Sequence, residues 1–159
     1  MKKIKNIPLF SKLFRCIVHL MTSKIDAIYE NLAIHSFKTK KDFWNWLSKN
    51  HSSSIGFWLR FYKKDSNFPT ISNSDAIDVA LCFGWIDGLI HSYDENSYLV
   101  RYTPRRSKSV WSKINVAKAE KLIKQGKMQP SGLVQVSAAK KDGRWQSAYS
   151  SKKIREHNV

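Results

Sequence analysis

The alternation of apolar and polar positions divides the chain into seven predicted elements and a short helix after them. Thr39-Lys40-Lys41-Asp42 reads as a capping box with an acidic third residue, where a helix start favours negative charge. Phe43, Trp46 and Leu47 follow at helical spacing, so a helix is predicted to about Asn50, with polar HSSS after it. Gly56 opens GFWLRFYKK, in which Phe57, Leu59 and Phe61 alternate with Trp58, Arg60 and Tyr62. That period of two predicts a strand with one apolar face and one aromatic, basic face. The turn residues of DSNFPTISNS predict a loop. Ser74 or Asp75 is the expected cap of a short helix through Phe83, with Ile77, Ala80 and Leu81 inward and Gly84 as its C′ residue.

Two strand-like runs follow, WIDGLIHSY and SYLVRYT, joined by Asp94-Glu95-Asn96. They predict a hairpin with a loop slightly longer than two residues. Pro104 ends its second strand, and RRSKS leads into a helix from about Val110 to Gln125. Trp111, Asn115, Ala119 and Leu122 lie on one stripe of that helix, and Gly126 terminates it. Pro130 is placed as the first residue of another helix, running to about Lys141. Asp142-Gly143 marks a turn, after which Trp145 and Tyr149 are expected to cover a final short helix. The order α-β-α-β-β-α-α predicts one α+β domain: a small, mostly antiparallel sheet of about three strands, covered by helices.

Composition adds a constraint on partners. The chain has 159 residues, enough to bury a core without metal or disulfide staples. Its 28 basic and 12 acidic residues give a formal charge of +16. Such a charge favours nucleic acid, anionic lipid headgroups or phosphorylated small molecules, and it equally fits a lysine-rich solvated surface. Cys16 and Cys82 form no CxxC pair, and Cys82 lies in the apolar run VALCFGW. This usage fits a reducing compartment and a cytoplasmic location, with periplasmic or membrane-peripheral placement as alternatives.

Residues 1–20, MKKIKNIPLFSKLFRCIVHL, hold five basic residues and no acidic one. Lys12, Arg15 and His19 interrupt the apolar run, which argues against a signal peptide and against a transmembrane segment. Two readings stay open: a membrane-surface helix, or an extension upstream of a start at Met21. The expected organisation is a basic extension over 1–20, a domain over 37–149 and a basic tail over 150–159.

Candidate chemistry concentrates between Trp85 and Trp111. No phosphate-loop, dinucleotide, zinc-protease or nucleophile-elbow motif occurs, and the five histidines lack ligand spacing. No metal or cofactor is predicted, and the chain reads as a binding protein before it reads as an enzyme. Arg101, Arg105, Arg106 and Lys108 precede a predicted helix start, with Ser107, Ser109 and Ser112 beside them. Free backbone N–H groups and guanidinium groups there suit a phosphate or carboxylate. The plain alternative is a solvated loop with Ser109 as helix cap. Asn115 either fixes that loop or touches ligand. Asp87 sits in a strand, where Asp is disfavoured, with Arg101 as its expected partner. As a lone carboxylate it is also the general-base candidate of an enzyme reading. The ligand-binding set is therefore Trp85, Asp87, Arg101, Arg105, Ser109, Trp111, Ser112 and Asn115, with the two indoles as walls of an open groove. A competing nucleic-acid reading uses Trp58, Tyr62 and Tyr102 as stacking platforms.

The segments FWNWLSKNHSSSIGFWLRFYKK, DAIDVALCFGWIDG, RYTPRRSKSVWSKIN, LIKQGKMQPSG and AAKKDGRWQSAY resemble, in order and spacing, the YdeI/OmpD-associated bacteriocin-protection family. The resemblance runs from about Phe37 to Tyr149, and CFGWIDG and the RYTPRRSKSVWSKIN segment are its specific pieces. Asn73 and Leu89 depart from it, where the family usually has an aromatic and a polar residue. The resemblance implies a small bacterial protein linked to tolerance of bacteriocins or cationic antimicrobial peptides. A chain of charge +16 repels a cationic peptide, so an anionic small molecule or envelope component is the partner this implies.

Overall fold

In the computed structural model, residues 31–150 are described. Two units partition the chain, Met1–Ala33 and Ile34–Val159, and the fold below is that of the second. The expectations for residues 1–20, and for the tail beyond Ser150, lie outside the described residues.

Local sequence signals account for most of the elements. Helix α1 (Lys40–Asn50) starts at a two-way capping box, in which the Asp42 amide donates to the Thr39 hydroxyl and the Thr39 amide to the Asp42 carboxylate. Its Phe43 and Leu47 are buried. Strand β2 (Phe57–Tyr62) follows the predicted alternation. Helix α2 (Asn73–Cys82) is capped by Ser72, not by Ser74 or Asp75. Ser72 Oγ accepts from the Asp75 amide at 3.0 Å and donates to its carboxylate at 2.8 Å, so Asp75 is the third helical residue. Gly84 then takes φ of +75° where α2 turns into the sheet.

Strands β3 (Trp85–Asp94) and β4 (Ser97–Pro104) form the predicted hairpin, with a tighter loop than expected. Asp94 pairs with Ser97, leaving only Glu95 and Asn96 to turn the chain. Neither has positive φ, so the turn lacks the mirror-image geometry that matches strand twist. A register shift between Ser92 and Asp94 takes up the mismatch. A short strand β1 (Ile34–His35) pairs in parallel with β2. The sheet is therefore four-stranded and mixed, in the order β1-β2-β4-β3: mostly antiparallel as predicted, with one parallel strand beyond the three or so expected.

Helix α3 (Lys113–Lys124) starts later than Val110, with Ser112 as its cap. Ser109 instead closes a turn, its hydroxyl accepting from the Arg106 amide at 3.0 Å. Helix α4 (Pro130–Lys141) has Pro130 in the first turn as predicted. The expected final helix does not form. Tyr149 lies as a bridge beside Ser112, accepting from the Lys113 amide and donating to Trp111 O. No helix among the described residues is long and apolar enough to cross a membrane.

The core lies between one sheet face and the helices. Phe57, Leu59, Phe61, Val100 and Tyr102 share that inner face and pack into one cluster with Phe43, Leu47, Val79 and Ala80. Helices α2 and α4 approach closely. A Cβ on Gly132 would lie 2.3 Å from Cys82 O, and the Gln129 amide donates to that same oxygen at 3.0 Å.

Candidate functional site

The eight predicted site residues do not form one open groove. Trp85 is 1% exposed and Trp111 2%, so both indoles are core residues; Trp111 borders a small recess of about 120 Å3 with Val110, Arg144, Ser147 and Tyr149, which Trp85 does not line. Trp85 Nε1 donates to His51 O, and Trp111 packs on Trp145 with centroids 4.8 Å apart. Asp87 pairs in register with Tyr102, whereas Arg101 pairs with Trp58. Strand alternation then sends Arg101 to the sheet face opposite Asp87 and Tyr102. The guanidinium whose charge acts on Asp87 is that of Arg105. Ser112 is occupied as a helix cap and Ser109 as a turn closure.

Arg105 is itself a core residue, 5% exposed. Its Cζ stacks 3.7 Å from the Trp111 ring centroid, and Nη1 donates to Val110 O at 3.3 Å. Nε and Nη2 are buried without a hydrogen-bond partner. Burial pulls its pKa down to about 10, against the opposing charge of Asp87. Burial likewise raises the Asp87 carboxyl above its ordinary value, opposed by a backbone hydrogen bond and by Arg105. Asp87 and Asn115 line a crevice with Ile77, Ala80, Leu81, Trp85 and Ile86 that leaves no room for a water molecule. That crevice therefore offers no room for a substrate beside Asp87. Tyr102 is fully buried and Trp58 8% exposed, so neither is placed to stack a nucleic-acid base.

A second constellation is open, and it is built from lysines. The first turns of α1 and α2 and the C-terminal half of α3 border a cleft of about 350 Å3. Lys40, Ser74, Asp75, Asp78, Lys118, Lys121, Leu122, Gln125 and Lys127 line it. A shallow recess of about 430 Å3, lined by Lys40, Lys41, Trp44 and Lys127, adjoins it through the two shared lysines.

Its charges sort into fixed and available ones. Lys40 Nζ reaches Asp75 at 3.1 Å and Asp78 at 3.3 Å. Lys118 Nζ reaches Asp78 at 2.6 Å and the Ser74 hydroxyl at 2.8 Å. Burial opposes the charge on Lys40, yet its bond to Asp75 and the charge of Asp78 leave its pKa raised. The Ser72 hydroxyl and then Lys40 hold Asp75 below its ordinary value. Both carboxylates are thus neutralised by two of the lysines. The ammonium groups of Lys41, Lys121 and Lys127 make no hydrogen bond or ion pair with a described residue. Lys121 and Lys127 border the cleft, Lys41 and Lys127 the recess, and cations gathered on concave surfaces raise the local concentration of anions.

These lysines were absent from the predicted site. The signal was the three-residue spacing of Lys118, Lys121, Lys124 and Lys127, which puts ammonium groups along one side of α3 and its exit.

The profile of a domain family of unknown function matches residues 35–135, more than half of the chain. The chain belongs to the DUF8412 family. No curated protein and no solved structure matches it. The DUF8412 match begins in β1 and ends in α4, so it contains every residue of the lysine cleft. It also contains Asp87, Arg105 and Trp111, and it stops before Arg144, Trp145 and Tyr149.

Proposed function

We propose that this DUF8412 protein is a binding protein for a small anionic ligand, held in the lysine cleft between α1, α2 and α3. The observation that carries this reading is the pair Lys121 and Lys127, with no described partner, in a cleft whose acids are already paired, and Lys41 in the adjoining recess. Asp75 and Asp78 therefore orient lysines and do not repel the ligand. Phosphate is the group best suited to ammonium donors arranged as separate point charges.

The resemblance to the bacteriocin-protection family supports a role in tolerance of cationic peptides through an anionic cell component. Direct capture of the peptide is disfavoured by a charge of +16.

The test is a thermal-shift titration with inorganic tripolyphosphate. A ligand that binds only the folded state raises the melting temperature by mass action. The wild type is expected to gain several degrees, with the gain shrinking as salt rises. Lys121→Glu with Lys127→Glu should abolish the gain, while Arg106→Ala should keep it. A gain that survives the double substitution and disappears in Arg106→Ala would move the site to the linker after β4.

A further inference from the structure

We infer that the ligand of this cleft is a nucleotide, with its base on Trp44 and its phosphates on the lysines of α3. The inference rests on the anion-binding reading above and adds the ligand's class. Lys40 and Lys127 belong to both the recess and the cleft, so the two form one bipartite surface. Their chemistry differs. The recess is walled by the Trp44 indole and the methylene stems of Lys40, Lys41 and Lys127. The cleft is walled mainly by hydroxyl, amide, carboxylate and ammonium groups, with Leu122 as its apolar side chain.

Trp44 is held in place from behind. Its ring sits 4.8 Å from that of Phe83 at 66°, an edge-on contact that fixes the indole plane. It is half-buried and so keeps part of its surface in the recess. A fixed indole beside cations selects a flat ring over an aliphatic chain, because stacking needs a matching plane. Simple phosphate would leave the recess empty. A nucleotide fills both parts, with the ring against Trp44 and the phosphates near Lys121 and Lys127.

Calorimetric titrations with adenosine triphosphate, inorganic tripolyphosphate and adenosine test this on the full chain. Adenosine triphosphate is expected to bind roughly ten-fold more tightly than tripolyphosphate, about what one base stacked on an aromatic ring contributes. Trp44→Leu keeps apolar bulk against Phe83 and removes the flat face. It should erase that ten-fold difference and leave tripolyphosphate affinity unchanged. If Trp44→Leu fails to fold, saturable quenching of wild-type indole fluorescence by adenosine triphosphate, and not by tripolyphosphate, reads the same contact. Equal affinity for the two phosphates overturns the nucleotide inference and leaves the anion reading standing. Binding of neither overturns both. Binding of a single-stranded oligonucleotide without binding of adenosine triphosphate overturns the inference in favour of a nucleic-acid strand.

Discussion

Replacing Gly132 by Ala tests the tightest contact in the fold. In an isolated helix the change stabilises by about 1 kcal/mol, because Gly spends more backbone entropy than Ala. Here the added methyl meets Cys82 O at 2.3 Å, Leu81 O at 2.7 Å and Cys82 C at 2.9 Å. Carbon and oxygen ordinarily approach to about 3.3 Å, so α4 must retreat from α2 by roughly 1 Å. All three atoms are backbone and cannot rotate away. The retreat also stretches the 3.0 Å bond from the Gln129 amide to Cys82 O. Overpacking costs about 1–3 kcal/mol, and a weakened hydrogen bond adds about 1 kcal/mol. The net expectation is a loss of roughly 2 kcal/mol, or about 6 °C in melting temperature for a domain of this size. Urea unfolding should show a lower midpoint with an unchanged slope. Gly126→Ala is the control, since nothing lies within 4 Å of where its methyl would stand and only its φ of +66° opposes the change. That substitution should cost about 1 kcal/mol. A Gly132→Ala protein as stable as the wild type, or more stable, would refute the close approach of α2 and α4.

Arg105→Ala removes the cation stacked on Trp111 and leaves Asp87 without its neighbouring charge. A loss of about 3 kcal/mol is expected in chemical denaturation, and Asp87→Asn in the same chain should recover part of it. Asp87→Asn alone tests the sign of the pH dependence. Its folded pKa is raised, so its contribution is fully present below the ordinary 3.8 and is lost as pH rises through the folded value. The variant should therefore melt higher than wild type at pH 7 and level with it near pH 3. A variant that melts lower at pH 7 would show Asp87 to be a net stabilising ion.

Much of the fold was legible because its helices and central strands carry their periodicity in short stretches. The Thr39 capping box, the alternation of β2 and Pro130 at a helix start are local devices, and each acts where its residues lie. Strand β1 was not legible, since two residues have no period and a parallel partner supplies no turn signal. The α2 cap was misplaced by two residues because Ser72, Ser74 and Asp75 are all good caps, and the Ser72–Asp75 pair decides between them.

The site was less legible for two physical reasons. Proximity along the chain suggested that Asp87, Arg101 and Arg105 converge, yet alternation along β4 puts Arg101 on the other face of the sheet. Indole rings read as groove walls turned out to fill interior volume, as large apolar groups do wherever a core can take them. The lysine cleft depends on Lys40 and Lys41 meeting Lys118, Lys121 and Lys127 across three helices. The three-residue spacing of Lys118, Lys121, Lys124 and Lys127 marks a basic side of α3, yet it does not separate the lysines that line the cleft from Lys124, which does not.

Amide chemical-shift mapping of isotopically labelled protein during a tripolyphosphate titration locates the anion site residue by residue. Saturable shifts are expected at Lys40, Ser74, Lys118, Lys121, Gln125 and Lys127 and their immediate neighbours, with Trp44 unmoved. Shifts centred instead on the stretch from Arg105 to Ser112, or scattered over the surface without saturation, would contradict it.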